Sequence, residues 1–156
     1  KKRRDSIIAA PTDHHSNNNN NNNNDTFSVD REKTTPFLIR VFVHRGRHFT
    51  DDDFRDPTNL PHGRSGQIYI HTWLDATLLE LTKLLGRVVP VLKNPHSDSQ
   101  LSFALVYPDR KGRMVVKECG KLNHFDINKS PSSHSEFHNK TLKDLKFEIG
   151  DLLDVA

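Results

Sequence analysis

The sequence predicts an α+β fold in which one amphipathic helix packs on a single mixed sheet of four to five strands. The first observation is the segment 67–85, where an apolar stretch at 68–70 leads directly into leucines spaced four, three and four residues apart. The second is a set of short apolar stretches on both sides of that segment, bounded by Gly, Pro and Asp. A single helix with one apolar stripe needs a sheet to cover it, so these observations together define the fold class.

The first predicted strand is 37–43, with the sequence FLIRVFV. Residue alternation places its odd-numbered, apolar residues on one face, which is expected to meet the helix. The other face carries an arginine, and an unpaired arginine is rarely buried, so that face is expected to be exposed. We predict an exposed apolar strip there, unless a loop such as 121–140 covers it. The predicted strip comprises Leu38, Arg40, Phe42, Ala104 and Val106.

The polar stretch 44–66 is predicted to be a long connection with a short strand around 47–49. The helix follows the strand 67–71. Its N-terminus is expected either at a capping box of Thr72 with Asp75 or with Asp75 itself as the N-cap. It should end by Val88, because Pro90 cannot continue a helix.

Three more strands are predicted after the helix, at 101–107, 113–119 and 152–156. The Pro, Asp and Gly of 108–112 suit a hairpin between the first two. Residues 141–145 are expected to form one helical turn. The order is therefore β, β, α, β, β, a short turn and β, which is the order of a ubiquitin-like β-grasp domain.

Composition divides the chain into a tail at 1–29 and a domain at 30–156. The tail contains eight consecutive asparagines at 17–24, which cannot build a core and are expected to act as a tether. The basic cluster 1–4 is either a nuclear localisation signal or a solvated end. Residues 30–156, which do not include this cluster, carry 19 basic and 17 acidic residues. This charge balance is too even for a domain built around phosphate contacts. No apolar run approaches the length needed to span a membrane.

Specific residues resemble those of the Sin-three-associated 18-kilodalton polypeptide family over 30–156. The matching segments are DREKT (30–34), LIRVF (38–42), GRH (46–48), QIY (67–69), TWLDATL (72–78), ELT (80–82), KF (146–147), IGD (149–151) and LD (153–154). The resemblance implies a ubiquitin-like fold and a non-enzymatic nuclear adaptor, with a cytoplasmic pool as a further expectation. It implies protein partners: the Sin-three histone deacetylase corepressor scaffold, an Acinus- or Pinin-type peptide, and an RNA-recognition-motif protein of splicing-linked exon junction assemblies. RNA would then be contacted only indirectly.

The sequence gives little indication of a metal site or a catalytic site. Ten histidines include two pairs four residues apart, but neither pair has a cysteine or carboxylate at zinc-site spacing. Cys119 lies in a strand pattern without an obvious base, which favours a packed residue over a nucleophile. We therefore predict no catalytic residue, metal, cofactor or small-molecule substrate. The histidine pairs are His44 with His48 and His134 with His138.

The remaining signal is a surface for protein partners. Direct RNA binding by the basic tail and the sheet aromatics is the alternative, and a hydrolase using Cys119 is a third hypothesis. Trp73 is the only tryptophan and is equally suited to an interface or to plugging the core at the start of the helix. The predicted partner-binding residues are Leu38, Arg40, Phe42, Arg47 and Trp73.

Overall fold

A computed structural model describes residues 27–61, 67–89, 92, 100–123 and 137–156. It contains one five-stranded mixed sheet, one α-helix and a short 3-10 helix, and the strand order is β2-β1-β5-β3-β4. Strands β1 and β5 are parallel, and the other neighbouring pairs are antiparallel. The predicted α+β, ubiquitin-like β-grasp fold is confirmed. The elements are β1 (Phe37–Val43), a 3-10 helix (Asp51–Phe54), β2 (Gln67–Thr72), α1 (Leu78–Val88), β3 (Gln100–Pro108), β4 (Met114–Asn123) and β5 (Leu152–Val155).

The apolar stripe of α1 faces the sheet, as predicted. Leu78, Leu81 and Leu85 are fully buried and share one cluster with the odd-numbered residues of β1. Leu74 precedes the helix and packs against this cluster while half-buried. The helix ends at Val88, where it was expected to end.

The predicted start of α1 is wrong. Thr77 is the N-cap, and its hydroxyl accepts a hydrogen bond from the Glu80 amide at 3.2 Å. Thr72 is the last residue of β2, so it cannot cap a helix that begins six residues later. Asp75 instead accepts a hydrogen bond from the Val29 amide at 3.0 Å, because the segment before β1 crosses the strand–helix junction there.

The connection after β1 folds back over the outer face of the sheet, the face opposite α1. Its 3-10 helix places Phe54 edge-on against Phe42, with ring centroids 5.1 Å apart. Phe54 and Leu60 form a second buried cluster with Phe42, Val106 and Leu152. The short strand predicted at 47–49 is absent from this described stretch, because these residues lie across the sheet instead of pairing with a strand.

The prediction of an exposed apolar strip is therefore wrong for three of its residues. Phe42, Ala104 and Val106 each have no exposed surface. They share the outer face with Leu38, as alternation indicated, but the connection after β1 covers their part of that face. Residues 124–136, in the loop considered as a cover, lie outside the described residues.

The later elements are close to those predicted. The hairpin between β3 and β4 is closed by the Asp109 amide bonding to the Arg113 carbonyl at 2.8 Å. A bond of 3.1 Å from the Leu145 amide to the Thr141 carbonyl closes a single turn. Strands β3 and β4 are both longer than expected.

Candidate partner-binding surface

One part of the outer face stays uncovered, at the end of β1 and β2 away from the connection. Leu38 lies opposite His71 and Arg40 lies opposite Tyr69 in the antiparallel register. Residues opposed in this way point to the same side of a sheet, so the four form one surface, which we call the β1–β2 patch. Leu38 is 47% exposed and Tyr69 is 57% exposed. His71 is also exposed, and Arg40 is half-buried.

Two residues of the β1–β2 patch were not among the predicted partner-binding residues. Tyr69 and His71 are on β2, and their pairing with β1 depends on a register that a single strand does not reveal. A signal was available for Tyr69, since alternation places it on the face opposite its neighbours Ile68 and Ile70. Both isoleucines pack with the main core.

The two edges of the sheet differ. At the β4 edge, the Asp51 carboxylate accepts a hydrogen bond of 2.7 Å from the Val116 amide, so the connection after β1 occupies part of that edge. At the other edge, no strand in the described part of the chain pairs with the outer side of β2. An unpaired strand edge is a template for an extended segment of another protein. The β1–β2 patch lies beside this open edge.

The patch combines apolar and cationic groups. No carboxylate among the described residues forms an ion pair with the Arg40 guanidinium. Burying an uncompensated guanidinium under a partner is costly, whereas pairing it with a carboxylate recovers that cost. The patch therefore favours a segment that carries an acidic side chain next to apolar ones.

Trp73 has a structural task at the strand–helix junction. It is half-buried, and its indole N–H donates to the Thr34 carbonyl at 2.7 Å. The Arg31 guanidinium lies 5.0 Å from the centre of its ring and binds both oxygens of Glu80, at 2.8 and 3.0 Å. These contacts fasten the segment before β1 to the start of α1. They give Trp73 a role in stability that does not need a partner.

Arg47 is exposed on the connection after β1 and lies outside the β1–β2 patch. Its guanidinium donates to the His48 carbonyl at 3.5 Å, which is a weak contact. Its role in partner binding stays a prediction. The structure thus brings Leu38 and Arg40 together, separates Arg47 and Trp73 from them, and buries Phe42.

His48 joins the connection to the sheet through both ring nitrogens. Nδ1 lies 2.9 Å from the Asp154 carboxylate and Nε2 lies 2.7 Å from the Ser102 hydroxyl. Asp154 is fully buried, and this burial raises its pKa, although hydrogen bonds from the Phe49 amide and His48 oppose the shift. The same carboxylate oxygen accepts both of these bonds.

The order of hydroxyl, imidazole and carboxylate is that of a hydrolase triad, but the surroundings are not those of an active site. The Ser102 amide donates to the Ala156 carbonyl, so it cannot stabilise an oxyanion. The cleft beside His48 is lined by residues 48–52, Ala104, Val116 and Glu118, and Ser102 is not among them. We conclude that the three groups hold the connection in place over the outer face.

Cys119 is also packed rather than reactive. Its sulfur lies 3.3 Å from the Phe103 carbonyl, and burial raises the pKa of its thiol to about 11. A thiol with this pKa is almost entirely protonated at neutral pH and is a poor nucleophile. Within the described ranges, no group of three or more His, Cys, Asp or Glu side chains is arranged to hold a metal ion. No helix of the described chain is both long and apolar enough to cross a membrane.

A sheet with an apolar and cationic patch beside an open edge is typical of protein-interaction domains. Comparison with known proteins identifies its family. The family model for Sin3 associated polypeptide p18 (SAP18) matches residues 28–156. The chain therefore belongs to the SAP18 family, as the sequence resemblance indicated, and it is a non-enzymatic protein.

Curated relatives match most of the chain. It is 42% identical over 128 residues to histone deacetylase complex subunit SAP18 of Arabidopsis thaliana, covering 82% of this chain and 78% of the relative. It is 38% identical over 130 residues to the human protein of the same name, covering 82% and 76%. The protein of that name from Drosophila melanogaster is 36% identical over 129 residues, with 82% and 77% covered.

Proposed function

We propose that this chain is a non-enzymatic adaptor subunit of a nuclear histone deacetylase complex and binds a scaffold of the Sin-three type. Its SAP18 relatives are named as subunits of histone deacetylase complexes, which supports the assembly. The β1–β2 patch supports the mode of binding. The family resemblance supports a second assembly, in which an Acinus- or Pinin-type peptide and an RNA-recognition-motif protein bring the chain into splicing-linked complexes.

The partner segment is proposed to bind in an extended conformation along β2. Backbone hydrogen bonds to the open edge supply affinity, and alternate side chains of the segment contact the patch. An apolar side chain would cover Leu38 and Tyr69, while an acidic one would pair with Arg40. An interface of ordinary size buries about 800 Å² on each partner, so it would extend beyond these residues along the strand.

The test is the double variant Leu38→Asp/Tyr69→Asp in the full chain. Both side chains are about half exposed, so the variant should stay folded. The added charges should repel an acidic segment and bring water into the apolar contact. Phe42→Asp is unsuitable because it would bury a charge. The matched control is Val88→Asp, at a residue that is 60% exposed at the end of α1.

The measurement is quantitative mass spectrometry of proteins that co-purify with each variant from nuclear extract. We expect recovery of the Sin-three-type scaffold and its deacetylase to fall by about tenfold or more for the double variant, which corresponds to about 1.4 kcal/mol of binding. The control should retain both proteins. Full retention by the double variant would exclude the patch. Recovery of RNA after protein removal, lost on deleting residues 1–4 and steeply dependent on salt, would instead favour the RNA-binding alternative.

A further inference from the structure

A second concave surface lies on the helix side of the sheet, beyond the end that α1 covers. It is a cleft of about 590 Å³ between β3, β4 and the turns at 144–151. Leu105, Tyr107 and Leu145 supply apolar surface within it. Ile149, next to the cleft residue Glu148, is 68% exposed. The volume falls in the range of clefts that bind ligands or peptide side chains.

Two carboxylates in this cleft form no ion pair with any residue in the described part of the chain. Glu148 and Asp151 form no ion pair, and burial together with the charge of Glu148 raises the pKa of Asp151. Lys117 and Lys146 also line the cleft, but neither is paired with these carboxylates. Four carboxylates and two lysines line the cleft, so its acidic residues outnumber its basic ones. Such a cleft, with apolar surface beside the carboxylates, fits a segment in which basic residues lie next to apolar ones.

The chain contains such a segment near its beginning. Residues 1–8 read KKRRDSII, with four basic residues followed closely by Ile7 and Ile8. The first described residue, Phe27, has its ring 5.6 Å from the Lys143 ammonium. Lys143 is the sequence neighbour of Asp144, which lines the cleft. The described chain therefore begins close to a residue that adjoins the cleft in sequence.

The connection is long enough to close the distance. Eighteen residues, 9–26, separate the basic and apolar segment from Phe27. Fully extended, a connection of this length spans at most about 60 Å. Linkers of short length give the attached segment an effective concentration on the order of millimolar, so even a weak contact would be substantially occupied.

We propose that residues 1–8 dock in this cleft of their own domain. The basic side chains bind Glu148 and Asp151, and the two isoleucines cover the apolar surface at Leu145 and Ile149. The proposal does not depend on the β1–β2 patch, since the cleft lies on the other side of the sheet.

The experiment uses the full chain with Cys119→Ser and Ser6→Cys, so that a nitroxide label is attached at position 6 only. Amide signals of Leu145 and Ile149 should be broadened by the label, and that of Tyr69 should not. Broadening should disappear with Glu148→Lys and should weaken in about 0.5 M salt, which screens exposed charges. The matched control is Glu32→Lys, which makes the same charge change at an exposed glutamate outside the cleft and should retain the broadening.

Three outcomes would overturn the proposal. One is broadening that is spread over the surface or concentrated at Tyr69, and another is broadening at the cleft that survives Glu148→Lys. The third is broadening that appears equally when unlabelled isotope-enriched chain is mixed with labelled chain, since the contact would then form between molecules. Unchanged hydrogen–deuterium exchange of the domain in both lysine variants would show that the fold is intact.

Discussion

Phe54 tests whether the connection after β1 belongs to the folded unit. Its ring is 1% exposed and lies edge-on to Phe42 at 5.1 Å and to Phe49 at 5.9 Å. Burying a Phe side chain contributes about 1.5–3 kcal/mol, and each aromatic pair adds roughly 0.5–1.5 kcal/mol. Truncations of buried Phe to Ala cost about 3–5 kcal/mol, which includes the cavity left behind. We expect Phe54→Ala to lower the free energy of unfolding by about 3–4 kcal/mol.

Urea unfolding followed by the fluorescence of Trp73, the only tryptophan, measures this loss. Leu38→Ala is the matched control, because Leu38 is 47% exposed on the same face and should change the free energy by no more than about 0.5 kcal/mol. A loss for Phe54→Ala below about 1 kcal/mol, at an unchanged urea dependence, would refute the reasoning. The connection would then be a loosely attached loop, and the outer face would be available to partners after all.

Burial raises the pKa of Asp154, so its contribution to stability is lost as pH rises from about 4, the ordinary pKa of an aspartate, through the folded pKa. Asp154→Asn should therefore gain stability relative to wild type as pH rises through this range, and a pH-independent difference in urea unfolding would contradict this. Burial raises the pKa of the Cys119 thiol to about 11, which lowers its thiolate fraction. Iodoacetamide should therefore alkylate it about 20-fold or more slowly in the folded chain than in urea, and similar rates in both would show a reactive thiol. A Cβ at Gly120 would lie 2.7 Å from Cδ1 of Leu78, which is too close for a normal contact. Gly120→Ala should therefore lower the free energy of unfolding by about 1–3 kcal/mol, and an unchanged urea midpoint would argue against this tight contact.

The helix and strand β1 were predictable because their own periodicity carries the information. Each has a pattern that only one secondary structure satisfies, and the order of elements then leaves few topologies. The ends of strands were less predictable, because pairing with a neighbouring strand decides where a strand ends. Strand β4 continues to Asn123 because β3 pairs with it past a register shift between Phe103 and Ala104, although Gly120 interrupts the apolar pattern. Backbone hydrogen bonds form there regardless of side-chain alternation.

The surface was harder to predict than the fold. Alternation shows that Leu38 and Phe42 share a face, but it cannot show which part of that face another segment covers. The available signal was the presence of Phe49, Phe54 and Leu60 in an otherwise polar connection, since large apolar residues there need a place to pack. The division between tail and domain at residue 30 stays a prediction.

The same connection that hides Phe42 also defines what a partner can reach. It covers one end of the outer face, and Asp51 occupies the β4 edge at Val116. In the proposed binding mode, an extended segment would therefore bind at the β2 edge, and its side chains would contact Arg40. Because that guanidinium has no carboxylate partner in the described chain, a segment with a basic or purely apolar side chain there would bury an unpaired charge. Specificity for an acidic segment would then arise from rejection of the others as much as from attraction.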